Sequence, residues 1–400
     1  MRIGFISTYP PIECGIATYT EQLVSNLYQK HMEVFVMSPF GAQGKRVFPV
    51  FTQGSDTFAP EVLRLSASMT PDIIHIQHEY GLYGQNKGVE IVDLILRYKI
   101  VGIPVVVTLH TVYDEVSYEE SVVLRPILSE SSAIIVHEDF QKEALLKNFP
   151  EIKGLEEKIW VIEHGIRECG PVINAKKILG LEGKKVLLLA GYFRPSKRFD
   201  KIIDIFPELC REIDNLVLVV AGKIRNPIFD NYRRELFDKI ESSPVADRIV
   251  VFRGQFPQHT FDTILSASDV MAFPYDKGAQ SGMLAQCFAM HKPVVTSSLP
   301  AFKRILDRSG GGLIAETDND YVRHIIALLN DKVLYNEKVE NIKEYIAECA
   351  SWSIVANQHI DVYKSILASS LGRARYIYIP EDEDTNVKPL PAIVENENIR

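Results

Sequence analysis

The chain is poor in the features that mark several large protein classes. Its five cysteines among 400 residues (Cys14, Cys169, Cys210, Cys287 and Cys349) are odd in number and never spaced CxxC, which excludes a disulfide framework and the common zinc ribbons. No apolar run nears the roughly 18 residues that a bilayer span needs. The start MRIGFISTYPP lacks the charged, apolar and cleavage regions of a secretory leader. There is no basic block either: 44 Lys and Arg stand against 52 Asp and Glu, a formal charge of −8, so no cationic surface for nucleic acid is expected. GxGxxG follows none of the candidate strands, which argues against a nicotinamide or flavin enzyme, and HExxH is missing, which removes a zinc protease. A cytoplasmic protein is expected, with no nucleic-acid partner and no transmembrane segment. None of these features speaks to the oligomeric state.

What is present is ordinary globular material, 46% hydrophobic and 24% charged, arranged as short β-branched runs that alternate with amphipathic helices. Buried-strand candidates are Ile3–Ser7, Val34–Met37, Ile73–Gln77, Val105–Leu109, Ala133–His137 and Ile159–Ile162. A second series follows at Val186–Ala190, Leu216–Ala221, Ile249–Phe252, Val270–Phe273 and Pro293–Thr296. Helices are expected between them, among others at Tyr19–Gln29, Val89–Tyr98, Lys201–Ile213, Asn231–Ser242 and Phe261–Ser266. Continuous apolar strands without alternation fit parallel sheets covered on both faces. The fold class is therefore α/β, with two doubly wound Rossmann-like domains at 1–168 and 169–350. A helix carrying Trp352, Val355, Ile360, Tyr363 and Ile366 is expected at 351–371, and a poorly ordered or surface-draped acidic tail at 372–400.

In open parallel sheets, ligands gather at the carboxyl ends of strands, on the loops that lead into helices. After the first strand, Gly15 opens a helix; its amide and those of Ile16 and Ala17 either meet a phosphate or sugar hydroxyl or simply close a turn. The third strand runs into Gln77, His78, Glu79 and Tyr80 beside Gly81 and Gly84, a polar and aromatic set suited to a sugar. The next ends in Thr108-Leu109-His110-Thr111, which puts a histidine at the cleft with Tyr113, Asp114 and Glu115 near enough to orient a sugar ring. His137-Glu138 and Glu163-His164-Gly165 repeat the strand-end placement, the last of these reading more as a turn. In the second series Arg194, Lys197 and Arg198 put three cations within five residues of a strand end, which suits a pyrophosphate, a solvated basic turn being the plain alternative. Ala221-Gly222-Lys223 ends the next strand. Gln280, Ser281, Gly282, Met283 and Leu284 then open a helix whose first amides form a second anion cradle.

Together, QHEYGLYG, TLHT, GYFRPSKRFD and PYxxxxQSGxLA with KPVVTS resemble the retaining glycosyltransferases of family 4, over nearly the whole length to the Trp352 helix. The resemblance implies the GT-B fold, in which two Rossmann-like domains face across a cleft and a C-terminal helix crosses back to the N-terminal domain. It implies an acceptor-side first domain and a nucleotide-sugar-binding second one. It also implies transfer of a hexose with retention, mannose from a GDP-mannose type of donor or glucose from a UDP-glucose type, to a saccharide or other hydroxyl acceptor. No metal or other cofactor is expected. By the same resemblance His110 touches the donor sugar near its 6-hydroxyl, Lys197 holds the pyrophosphate, and Arg194 reaches the same oxygens. The E-x7-E pair of the family falls on Gly278 and Gln286, neither acidic, and a subgroup with Q-E-Y-G and S-G-x-L-A motifs also lacks it. Gln286 is left to hydrogen-bond the ribose as a neutral group, and the backbone with Gln280 or Ser281 to replace the sugar grip.

Two other readings stay open on the sequence. A GT-B nucleotide-sugar epimerase needs acidic groups around the sugar, for which Glu79, Asp114 and Glu115 are the candidates. A non-catalytic nucleotide-sugar-binding partner subunit would explain the missing glutamates, although His110, Arg194 and Lys197 speak against it.

Overall fold

The β-branched runs build two parallel sheets in the computed structural model, which describes residues 1–370 apart from 85, 224–226, 255 and 278–281. The first sheet has β1 (Arg2–Ile6), β2 (Glu33–Pro39), β3 (Val47–Phe51), β4 (Ile73–His78), β5 (Val105–Leu109), β6 (Ala133–Val136) and β7 (Ile159–Val161), in the order β3-β2-β1-β4-β5-β6-β7. Its helices are α1 (Gly15–Gln29), α2 (Phe58–Met69), α3 (Glu90–Ile100), α4 (Tyr118–Glu130), α5 (Asp139–Asn148) and the single turn α6 (Leu155–Lys158). The second sheet has β8 (Lys185–Tyr192), β9 (Leu216–Lys223), β10 (Ile249–Arg253), β11 (Val270–Phe273), β12 (Val294–Ser297) and β13 (Gly312–Ala315), in the order β10-β9-β8-β11-β12-β13. Around it lie α7 (Ala175–Ile178), α8 (Phe199–Glu212), α9 (Asp230–Glu241), α10 (Gln258–Ala267), α11 (Gly282–Ala289), α12 (Pro300–Ser309), α13 (Asp318–Asn330) and α14 (Lys332–Tyr345).

Every strand expected from the sequence is present, with ends shifted by one or two residues. Two further strands, β3 and β13, are not foreseen by the apolar pattern. Both are edge strands: Pro49 interrupts β3, as an edge tolerates, and β13 is four residues long and mostly half-buried after a run of glycines. In both sheets the strand order reverses next to the first strand, between β1 and β4 and between β8 and β11. Ligand crevices open at such switch points. Tyr83 pins the first one, its hydroxyl donating to the carbonyls of Ile6 (2.9 Å) and Gln77 (2.7 Å).

The last described helix, α15 (Trp352–Ser370), leaves the second domain and packs on the first. Trp352, Val355, Ile360, Tyr363 and Ile366 are buried there with Phe5, Tyr19, Leu23 and Leu27. Fully burying side chains of this size is worth about 1.5–3 kcal/mol each. The chain passes between domains twice, side by side. Ile166 bridges Ser351 in parallel and its amide donates to the Ala350 carbonyl at 2.7 Å. Gly165 lies so close to the Trp352 indole that a Cβ would stand 2.3 Å from the ring. No helix among the described residues is long and apolar enough to cross a membrane. The tail expected at 372–400 lies outside the described residues.

Candidate active site

The second-domain side is built where β8 and β11 diverge. The Asp276 amide donates to the Ser196 carbonyl (3.2 Å), which ties the two loops together, and the Phe193 amide donates to the Lys223 carbonyl at the end of β9 (2.9 Å). Between them Lys197, only 8% exposed, lays its Nζ 3.4 Å from the centre of the Tyr275 ring. Burial, with the Arg194 charge adding to it, pulls the Lys197 pKa down to about 6. Arg194 is exposed and makes no ion pair among the described residues, and its charge reaches Tyr113 of the first domain. Arg198 is different from the third phosphate cation expected. It adopts a left-handed conformation (φ 47°) and pairs with Asp200 at 3.1 Å. Gly222, expected to touch substrate, is instead buried in β9; a Cβ there would meet the Gly191 carbonyl oxygen at 1.9 Å, so the residue serves the packing of β8 on β9.

At the start of α11, no described residue lies within 4 Å of the place a Cβ on Gly282 would take, and Met283 lies against Gly191 at 3.7 Å from its would-be Cβ. The Leu284 side chain turns into the domain core, which leaves its backbone amide as the part that can face a ligand. Gln280 and Ser281, with Gly278, lie outside the described residues. Gln286 is already engaged: its carbonyl accepts from Arg167 Nη2 (2.7 Å) and Gln258 Nε2 (3.3 Å). Arg167 in turn forms a two-pronged pair with Asp262 at 2.9 and 2.5 Å. The carboxylate missing at 286 thus has a neighbour one helix away, which no motif in the sequence announces.

On the first-domain side, Gly15 starts α1 with nothing within 4 Å of the place a Cβ would take, and Glu13 before it pairs with Lys223 across the cleft. β4 runs one residue past the expected end, so His78 as well as Gln77 is a strand residue, and the two are 1% and 0% exposed. His78 finds no hydrogen-bond partner for either ring nitrogen among the described residues, and burial lowers its pKa to about 4. It packs edge-on against Tyr80, over which Lys87 lies at 5.4 Å. Glu79 accepts from Thr111 Oγ1 at 2.5 Å. Asp114 pairs with Lys147 (3.2 Å). A polar pocket of about 490 Å³ opens beside these loops, lined by Gln53, Gly54, Gly81, Gly84, Asn86 and Glu90, within the range of small-ligand sites.

His110 occupies the end of β5 at 6% exposure, with Tyr19 edge-on at 4.8 Å. Both of its nitrogens are engaged, Nε2 with Gln77 Oε1 (2.7 Å) and Nδ1 with His137 Nε2 (3.3 Å). Burial first, then His137, His164, His75 and His78, push its pKa well below the ordinary imidazole value. The sequence marks Glu138 only as a strand-end neighbour. It is 4% exposed, its carboxyl pushed up to about 7 by burial against the pull of Arg304 and Arg308. Arg304 of α12 approaches Glu138 at 3.4 Å and also pairs with Asp139, while Arg308 pairs with Glu163. These pairs clasp the second domain to the first beside Leu284 and Ala285 of α11. Helical spacing on α12 carries no sign of partners so distant in sequence.

Two facing doubly wound domains, a cleft at both switch points and a helix that returns to the first domain define the GT-B fold. Solved structures agree. The Anabaena protein HepE in complex with UDP and glucose superposes with a TM-score of 0.69 at 14% identity, over 91% of this chain and 100% of that one. A glycosyltransferase from Rickettsia africae gives 0.73 at 15% identity, over 92% and 98%. Residues 173–348 match the family model described as Glycosyl transferases group 1. The chain is 25% identical over 402 residues to the phosphatidyl-myo-inositol mannosyltransferase of Mycobacterium leprae, covering 92% of this chain and 98% of the relative. It is 24% identical over 430 residues to the alpha-monoglucosyldiacylglycerol synthase of Streptococcus pneumoniae, covering 95% and 92%. The comparisons support the group 1 glycosyltransferase family for this chain.

Proposed function

We propose that the protein is a retaining hexosyltransferase that moves a sugar from a nucleotide-diphosphate donor to a hydroxyl acceptor, with mannose as the first choice and glucose as the second. The observation that carries this reading is the buried Lys197 beside Arg194 at the β8 switch point, where the Arg194 charge reaches Tyr113 of the first domain. Support comes from the matched family model and from relatives named as mannosyl- and glucosyl-transferring enzymes. Arg194, Lys197 and the first amides of α11 meet the charge on the leaving diphosphate, so no metal is given a role. As the glycosidic bond loosens, the departing phosphate oxygen takes the acceptor proton on the same face, and the acceptor oxygen bonds the anomeric carbon there. The polar pocket at Gln53, Gly81 and Glu90 is the acceptor side, suited to a saccharide or another polyol. Five free thiols favour a reducing, cytoplasmic setting. A panel of nucleotide sugars read by thermal shift, followed by product analysis with the stabilising donor, tests the proposal. Stabilisation by GDP-mannose or UDP-glucose and an axial product linkage are expected. Donor binding without transfer to any polyol acceptor would overturn it.

A further inference from the structure

Hydrogen bonds inside the first domain form one continuous chain through His110. The Ile162 carbonyl lies 2.9 Å from His137 Nδ1, His137 Nε2 3.3 Å from His110 Nδ1, and His110 Nε2 2.7 Å from Gln77 Oε1. Gln77 Nε2 is 3.4 Å from His75 Nε2, which itself lies 2.7 Å from Thr108 Oγ1. His75 Nδ1 then meets the Tyr363 hydroxyl of α15 at 2.6 Å. His75, Gln77, Thr108, His137 and Tyr363 are wholly buried, so bulk water does not settle where the protons sit.

Counting those protons fixes more than the distances do. A carbonyl only accepts, so His137 carries its hydrogen on Nδ1 and, while neutral, offers a bare Nε2 to His110. His110 therefore bears hydrogen on Nδ1. If Gln77 turns its oxygen to the other nitrogen, His110 needs a second hydrogen and a positive charge. The surroundings oppose that charge. Among the described residues the titratable groups acting on the ring are His75 and His78 of β4, His137 at the end of β6 and His164 after β7, with Tyr19 of α1 packed on it and no carboxylate. Burial without a counter-charge disfavours an imidazolium.

A half-turn of the Gln77 carboxamide exchanges its oxygen and nitrogen with almost no change of shape. Gln77 then donates to His110 Nε2, His75 shares its one Nε2 hydrogen between Thr108 Oγ1 at 2.7 Å and the Gln77 oxygen at 3.4 Å, and Tyr363 donates to His75 Nδ1. Every link is satisfied without charge. The geometry points to Gln77 and His137 as positioning residues that hold His110 in its neutral Nδ1–H tautomer, with the crossing helix anchoring the far end of the chain through Tyr363. The inference rests on the reading of His110 as a donor-sugar contact. There a neutral ring matters, because a sugar losing its leaving group gains positive charge that an imidazolium would repel.

The test uses the whole chain with ¹⁵N-labelled histidine, whose ring shifts report tautomer and charge with no substrate present. The His110 signals, assigned with His110→Gln, are expected in the neutral Nδ1–H pattern and without titration down to about pH 6. A charged ring or an Nε2–H tautomer at neutral pH overturns the proposal. In Gln77→Glu the new carboxylate accepts from Nε2–H and favours the imidazolium. Its kcat profile is then expected to gain an ionisation between about pH 6 and 8, rising with pH, while the donor KM moves less than about threefold. His137→Gln keeps both an acceptor toward His110 and a donor toward Ile162, and should retain the tautomer; His137→Phe fills similar space and should lose it. That second pair carries the comparison if Gln77→Glu does not fold by its melting curve. Altered ring shifts with an unchanged kcat profile overturn the positioning role. The expected shifts with no transfer from any nucleotide sugar count against the transferase reading alone and support the proton assignment.

Discussion

At neutral pH a lysine whose pKa has fallen to about 6 is mostly uncharged until an anion arrives. A diphosphate beside Lys197 restores the charge, so donor binding is expected to take up a proton. Calorimetry between pH 7 and 8 in buffers of different ionisation enthalpy reads that uptake directly; a binding enthalpy independent of buffer would count against it. The same shift leaves a mark on stability. Between about pH 6 and the ordinary lysine value the unfolded chain binds more protons than the folded one, so folding stability rises with pH across that window. Lys197→Met should be more resistant to urea than wild type near pH 6.5, with the difference shrinking toward pH 10. Lys197→Ala should lower kcat by roughly 10²–10³, as removal of one preorganised charge donor does elsewhere, measured at saturating donor.

At the scale of elements, Gly165 and α12 make separable predictions. A methyl at Gly165 must push the Trp352 indole aside, which costs about 1–3 kcal/mol in overpacked sites. Gly165→Ala should therefore shift the denaturant midpoint down without changing which donor binds. Arg304 and Arg308 on α12 hold Glu138, Asp139 and Glu163 of the other domain. Replacing both arginines with alanine should widen the cleft, read as a larger radius of gyration by X-ray scattering. Salt should widen the wild type toward the variant and leave the variant unchanged. Elements are the most legible level of the sequence, since continuous Val, Ile and Leu runs have few ways to be buried other than as central parallel strands. Edge strands β3 and β13 escape because half-buried segments lack that signature. The site is legible only as far as strand ends are, and Arg194, Lys197 and His110 are singled out in this way. His78 reads as a loop residue although β4 continues through it, and the close packing at Gly222 and of the Leu284 side chain, unlike charge, leaves no mark in a motif. Asp262 and Arg304 are invisible, and Glu138 is marked only as a strand-end neighbour, for a different reason: each matters through a partner far away in sequence.

For the whole molecule, the formal charge of −8 says nothing about the cleft, where a buried lysine and an exposed arginine stand at the β8 switch point. The larger fact is the path of the chain. Phe5, Tyr19 and Leu23 share their core with Trp352, Val355 and Tyr363, so the first domain is not finished by its own contiguous stretch of sequence. Ending the chain after residue 350 should expose that core, and limited proteolysis should then cut the first domain while sparing the second. On the ribosome this inverts the usual order. Domains generally fold as they emerge, the N-terminal one first. Here the half made second has all of its strands in hand while the half made first still waits for its last helix. During that interval the apolar bed of α15 is a place where chaperones, or a neighbouring nascent chain, compete with the protein's own end.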